Sequence, residues 1–123
     1  MKSLNVVLLQ GDSRIAQSLV SALSQSFHAV DQVHSLGELR ARIASDRSRI
    51  VIVDTETVPF IEVERLSREF PNSPIVCTHR LPDEELWAAA LSAGARDMCS
   101  ASDTRSIVRS ALQSTIFTQS AAA

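Results

Sequence analysis

Four consecutive β-branched residues, Ile50, Val51, Ile52 and Val53, end abruptly at the carboxylate of Asp54. Branching at Cβ stiffens χ1 and favours extended backbone, so this run is a strand. Both alternating faces are apolar, so the strand must be covered on both sides, as an interior strand of a parallel sheet is. Helices above and below a sheet, joined by crossover connections, follow from that requirement.

The rest of the chain supplies the matching pieces. Asn5 to Leu9 is a second apolar run, closed by Gln10-Gly11-Asp12. After it Ile15, Leu19, Val20, Leu23 and Phe27 recur at helical spacing, with Asp12 or Ser13 placed to cap the first turn. The spacing predicts about four turns. Residues 28–34 form a shorter, more polar strand nearer a sheet edge. Ser35-Leu36-Gly37-Glu38 has the form of a capping box ahead of Leu39, Ile43 and Ala44. Ile61, Val63, Leu66 and Phe70 predict a third helix that stops by Pro71, because proline disfavours helical backbone in its predecessor. Residues 74–78 make a fourth strand. Pro82 suits the first position of a fourth helix, with Leu86, Ala90 and Leu91 as its buried stripe and Gly94 as its terminator. Residues 97–99 form a fifth strand. Ile107, Val108, Ala111, Leu112 and Ile116 mark a last helix, giving one domain over residues 4–117 and a disordered tail at 118–123.

Composition removes several functions. The formal net charge is −2 and Lys and Arg are scattered, so the basic stripe that binds a phosphate backbone is missing and direct nucleic-acid binding is not expected. No apolar stretch approaches the ~20 residues of a membrane span, and the run from Leu4 to Leu9 is too short for a signal sequence. A cytoplasmic location is the expectation. Cys77 and Cys99 lie in apolar segments without metal-ligand spacing, as reduced core thiols do. Gly11 stands alone, without a glycine-rich phosphate loop, and no nucleophile elbow or zinc-protease motif is present. An enzyme is therefore not expected.

Strands alternating with helices make a doubly wound parallel sheet, and ligands of such sheets sit beyond the carboxyl ends of the strands, where the strand order reverses. Gly11, Asp12, Asp54 and the pair Thr78 and His79 should surround that crevice. With Val7-Leu8-Leu9-Gln10-Gly11-Asp12, Ile50-Val51-Ile52-Val53-Asp54 and Ala93-Gly94-Ala95-Arg96-Asp97 in place, the chain resembles the receiver domains of bacterial response regulators from Asn5 to about Leu112. The resemblance implies a flavodoxin-like (CheY-like) α/β fold of five parallel strands in order 2-1-3-4-5 with five helices.

It also implies a phosphoryl-transfer site, and here the sequence departs. Receivers hold Mg2+ with two adjacent acids and an acceptor aspartate. Asp54 is the acceptor equivalent and Asp12 the second acid, but Gly11 replaces the first. Two carboxylates should bind Mg2+ weakly, so no cofactor is expected. Counting back from Gly94 puts His79 at the family's hydroxyl position, and a one-residue shift offers Thr78. Counting forward puts Ala101 at the conserved lysine position. Met98 takes the place of the aromatic switch residue, and the loop Thr55-Glu56-Thr57-Val58-Pro59-Phe60 looks remodelled. Arg14 or His79 is expected to replace the missing cation by pairing with Asp54, with Glu56 also lining the pocket.

The pattern implied is a pseudo-receiver that binds proteins. Its surface of fourth helix, fifth strand and fifth helix would dock a partner or a second copy, with Trp87, Leu91, Arg105 and Arg109 as the residues of interest. Alternatives are a phosphorylatable receiver that takes phosphate on Asp54 from a histidine kinase, and a small-molecule sensor that uses the vacated crevice. An effector domain in a longer chain is a further expected partner.

Overall fold

The computed structural model describes the backbone of residues 4–122 and the side chains of residues 4–115. Five strands, β1 (Asn5–Leu9), β2 (Ala29–Val33), β3 (Ile50–Asp54), β4 (Ile75–His79) and β5 (Asp97–Ser100), alternate with five helices. These are α1 (Ser13–Ser24), α2 (Leu36–Ser45), α3 (Phe60–Glu69), α4 (Glu84–Ser92) and α5 (Thr104–Ala122). All pairings are parallel and the sheet order is β2-β1-β3-β4-β5. The doubly wound fold anticipated from the β-branched run at residues 50–53 is the one observed. No described helix is long and apolar enough to cross a membrane.

The alternation of side chains along each strand divides the core into two layers. Val6, Leu8, Ile50, Ile52, Val76 and Cys99 face α1 and α5, against Ala16, Leu19, Leu23, Ile107 and Ala111. Val7, Val51, Val53, Ile75, Cys77 and Met98 face α2, α3 and α4. β3 is buried at every residue. Each fully buried Val, Leu or Ile in these layers stabilises the fold by roughly 1.5–3 kcal/mol. The edge strand β2 is tied to the centre by Arg49, whose guanidinium donates to Asp31 Oδ2 at 2.7 Å and to the Arg42 carbonyl at 2.9 Å.

Local signals act largely as their chemistry dictates. Asp12 caps α1, its carboxylate accepting from the N–H groups of Arg14 and Ile15. Ser35 caps α2, accepting from the Glu38 N–H, and Glu38 Oε1 reaches back one residue further than a standard capping box, to the His34 N–H at 3.1 Å. Gly94 ends α4 with φ +100°, and the Ala95 N–H returns to the Ala90 carbonyl at 3.0 Å.

Some expectations need correction. Pro82 is not the first helical residue of α4. The Asp83 side chain accepts from the Leu86 N–H and makes Asp83 the cap, which places Pro82 outside the helix. α1 ends at Ser24, so Phe27 reaches the core from the following turn. Ile61, Ala44, Leu91 and Leu112, expected on buried stripes, are exposed, because each lies to one side of the narrower stripe that meets the sheet. α5 continues to Ala122 through most of the segment expected as a disordered tail, where no Gly or Pro stops it; residue 123 lies outside the description. Ile116 lies outside the described side chains.

Candidate functional site

β1 pairs with β2 on one side and β3 on the other, so the order reverses between β1 and β3. At their carboxyl ends lies a cleft of about 340 Å³ lined by Gln10, Gly11, Asp12, Ile15, Asp54, Glu56, Thr57 and Arg80. Gly11, Asp12, Asp54 and Glu56 are thus brought together, whereas Thr78 and His79, also expected around the crevice, are not among the residues that line it.

Asp54 is buried at the end of β3, and its own loop satisfies both carboxylate oxygens. The Glu56 N–H donates to Oδ1 at 3.1 Å and the Thr57 hydroxyl donates to Oδ2 at 2.8 Å. The Thr57 and Val58 N–H groups also donate to the Asp54 carbonyl, at 3.0 and 2.8 Å, so the chain turns tightly around this residue. Gly11 makes room for the turn. A Cβ at position 11 would lie 2.7 Å from Thr57 Oγ1 and 3.9 Å from Asp54 Oδ2. Among the described residues only Gly94 has positive φ, so the requirement at Gly11 is for space rather than for an unusual backbone.

Asp12 is engaged as well. Its Oδ1 accepts from the N–H groups of Arg14 and Ile15 at 2.9 and 3.2 Å, and its own N–H donates to Gln10 Oε1 at 3.0 Å. The cation at the mouth is Arg80, which sequence inspection misses. Its guanidinium makes three bonds of 2.8–3.1 Å to the Glu56 carboxylate, and its backbone N–H adds a fourth at 2.9 Å. These hydrogen bonds from Arg80 hold the Glu56 carboxyl down at about 2. The Arg80 guanidinium is raised in turn, first by its hydrogen bonds to Glu56 and then by the nearby charges of Glu56, Asp12 and Asp54.

Arg14 and His79, expected beside Asp54, make no hydrogen bond or ion pair with it among the described residues. Arg14 and Ala101 line a separate hollow between α1 and the start of α5, with Ile15, Ser18 and Thr104. His79 Nδ1 accepts from the Leu81 N–H at 3.0 Å and stands 4.0 Å from Glu56 Oε1. Asp54 is paired in register with Thr78, so their side chains share the sheet face toward α1 and α5, whereas His79 points to the other face. Strand parity therefore puts Thr78, and not His79, on the same sheet face as Asp54. Thr78 is buried, and its Oγ1 has no hydrogen-bond partner, as is true of Gln10 Nε2 nearby at the end of β1.

The remaining residues divide between two surfaces. Trp87 and Leu91, 49% and 37% exposed, lie one turn apart on the outer face of α4. Arg105 and Arg109 instead line a groove between α5 and α1 with Ala22 and Gln25, away from Trp87 and Leu91. The sequence shows that Arg80 follows His79, and that Thr57 is a hydroxyl close to Asp54. Only the turn geometry shows what either side chain touches.

No family model matches the sequence, and no curated protein matches it. Solved structures do match in shape. The signal receiver domain of an HD domain-containing protein from Pseudomonas fluorescens Pf-5 superposes with TM-score 0.83 at 18% identity, covering 98% of this chain and 92% of that one. An orphan response regulator of H. pylori gives 0.78 at 17% identity, covering 93% and 98%. An atypical orphan response regulator, described as having a phosphorylation-independent regulatory mechanism, gives 0.80 at 16% identity, covering 93% and 97%. In strand order, helix placement and extent, the chain has the fold of response-regulator receiver domains.

Proposed function

We propose that this chain is a receiver-type signalling module that binds proteins and works without Mg2+-dependent phosphoryl transfer. One observation carries the reading: Thr57 occupies the space that an acid at position 11 would need, and it spends its hydroxyl on Asp54. A divalent ion of the Mg2+ type needs near-octahedral oxygen donors. Here both oxygens of Asp54 accept hydrogen bonds, one oxygen of Asp12 caps α1, and Glu56 is held by Arg80. Among the described residues no group of three His, Cys, Asp or Glu side chains is arranged to hold a metal ion. The donor set does not fit the ion.

With the carboxylates of the crevice engaged by its own residues, the protein-facing surface carries the function. The exposed Trp87 and Leu91 on α4 offer an apolar anchor, the type of residue on which interface energy concentrates. The partner is a protein or a second copy at the α4-β5-α5 surface, and a cytoplasmic, non-enzymatic role suits it. The phosphorylation-independent mechanism described for one structural neighbour is a precedent for such use of the fold.

A second reading, phosphorylation of Asp54 by a histidine kinase, is favoured by the buried and unpartnered Thr78 hydroxyl on the same sheet face. A 1H–15N NMR titration with Mg2+ and then beryllofluoride, an aspartyl-phosphate mimic, separates the two. The expected result is no saturable shift at millimolar Mg2+, with or without the mimic. Saturable shifts spreading from Asp54 to α4 and α5 would overturn the proposal and restore a phosphorylation switch.

A further inference from the structure

The acidic residues of this protein are unevenly divided between its two helical layers, whereas arginines stand in both. None of its 14 acidic residues lies in α1 or α5, although the net charge is −2. The nearest acids, Asp12 and Asp103, precede these helices and cap their first turns. Between the two helices runs a groove floored by Ala22, Val108 and Leu112, with Leu112 39% exposed. Arg105 and Arg109 line it, and Arg14 lines the adjoining hollow. None of these three arginines has a salt bridge or side-chain hydrogen bond among the described residues.

α4 carries the opposite chemistry. It has no Lys or Arg, its first turn holds Glu84 and Glu85, and Asp83 caps it. Glu84, Trp87, Ala88 and Leu91 fall on one stripe of the helix and all are exposed. Neither Glu84 nor Glu85 has a salt bridge or side-chain hydrogen bond among the described residues. An acidic helix with an apolar stripe thus stands on one sheet face, and a basic groove with an apolar floor lies on the other. A helix about 10 Å across packs its ridges into such a groove between two helices.

We infer that the α1/α5 groove of one copy receives the α4 stripe of another, with Trp87 over the apolar floor and Glu84 and Glu85 facing Arg105 and Arg109. This rests on the protein-binding reading above and names its partner as a second copy. The contact is head-to-tail, so each copy keeps one surface free and association continues past the dimer unless the rotation closes a ring. Two arginines over an apolar floor, with a third in the adjoining hollow, suit this occupant better than a phosphate backbone, which calls for a dense basic stripe.

The test is sedimentation velocity on the whole chain from micromolar to millimolar concentration, with the emission of Trp87, the only tryptophan, followed in parallel. The mass should rise with concentration, the emission should shift to the blue as the indole is covered, and both changes should weaken with added salt. Arg105→Glu/Arg109→Glu and Glu84→Arg/Glu85→Arg alter exposed positions only, and circular dichroism confirms that each folds. Like charges should weaken self-association of either variant by about tenfold or more, and an equimolar mixture should recover it. A wild type that stays monomeric throughout, variants that associate as the wild type does, or a mixture that stays silent would each overturn the inference. A monomer that is also silent to beryllofluoride sinks this inference alone, whereas association accompanied by beryllofluoride shifts sinks the phosphorylation-independent reading alone.

Discussion

Replacing Gly11 by alanine adds one carbon 2.7 Å from Thr57 Oγ1, well inside contact distance, while Thr57 Cβ at 3.9 Å is undisturbed. The hydroxyl must therefore move and release Asp54 Oδ2. A hydrogen bond to a charged group contributes about 1.5–3 kcal/mol. Against this loss, alanine restricts the unfolded chain and returns about 0.4–1 kcal/mol, since the backbone at Gly11 does not need positive φ. The net destabilisation should be about 1–2 kcal/mol. In a Thr57→Ala background there is no hydroxyl to displace, and the same substitution should instead stabilise by about 0.4–1 kcal/mol. Urea denaturation of the wild type, the two single variants and the double variant closes the cycle, with a coupling energy of about 2 kcal/mol. If Gly11→Ala costs the same in both backgrounds, Thr57 does not fill the site and the account of the crevice is wrong.

Three other expectations concern stability and chemistry. Gly94→Ala forces a side chain into φ +100° and sets its Cβ 2.7 Å from Ser67 Cβ, so thermal or chemical denaturation should show a loss of about 3 kcal/mol or more, and a loss under about 1 would refute it. The Glu56 carboxyl is lowered to about 2 by its hydrogen bonds to Arg80, so the folded state binds fewer protons than the unfolded chain between that value and the ordinary 4.5. That contribution is complete above about pH 4.5 and lost as pH falls through about 2, so urea midpoints measured against pH should fall less steeply there in Glu56→Gln than in the wild type. Equal slopes would show that the pair with Arg80 does not persist in solution. Burial pushes both Cys77 and Cys99 up to about 12, so a disulfide reagent at about pH 8 should label them only as fast as the protein opens, and prompt labelling of the native protein would contradict the packing.

The fold was legible because its signals are local and agree with one another. The β-branched run at Ile50 to Val53, the caps Asp12 and Ser35, and the terminator Gly94 each act within a few residues, and all point to alternating strands and helices. Failures occur where a tertiary choice decides. Ile61, Leu91 and Leu112 are apolar at helical spacing, yet a helix on a flat sheet buries a narrow stripe, and which residues fall outside it depends on the helix rotation. Counting from Gly94 does not choose between Thr78 and His79. Register with Asp54 shows which sheet face each takes, and register belongs to the assembled sheet.

The crevice shows why counting departures from a family pattern is a weak guide to chemistry. In the sequence, the glycine at position 11 and the altered loop after Asp54 look like two independent losses. In the structure they are one substitution in space: the loop brings Thr57 to Asp54, and only a residue without Cβ at position 11 leaves room for its hydroxyl. A side chain placed at position 11 would meet the Thr57 hydroxyl at its first carbon. The same holds for the missing cation, since the positive charge at the mouth comes from Arg80 after β4, where Glu56 of the remodelled loop can hold it. Asp54 is the carboxylate around which this loop folds, one oxygen accepting from the Glu56 N–H and the other from the Thr57 hydroxyl.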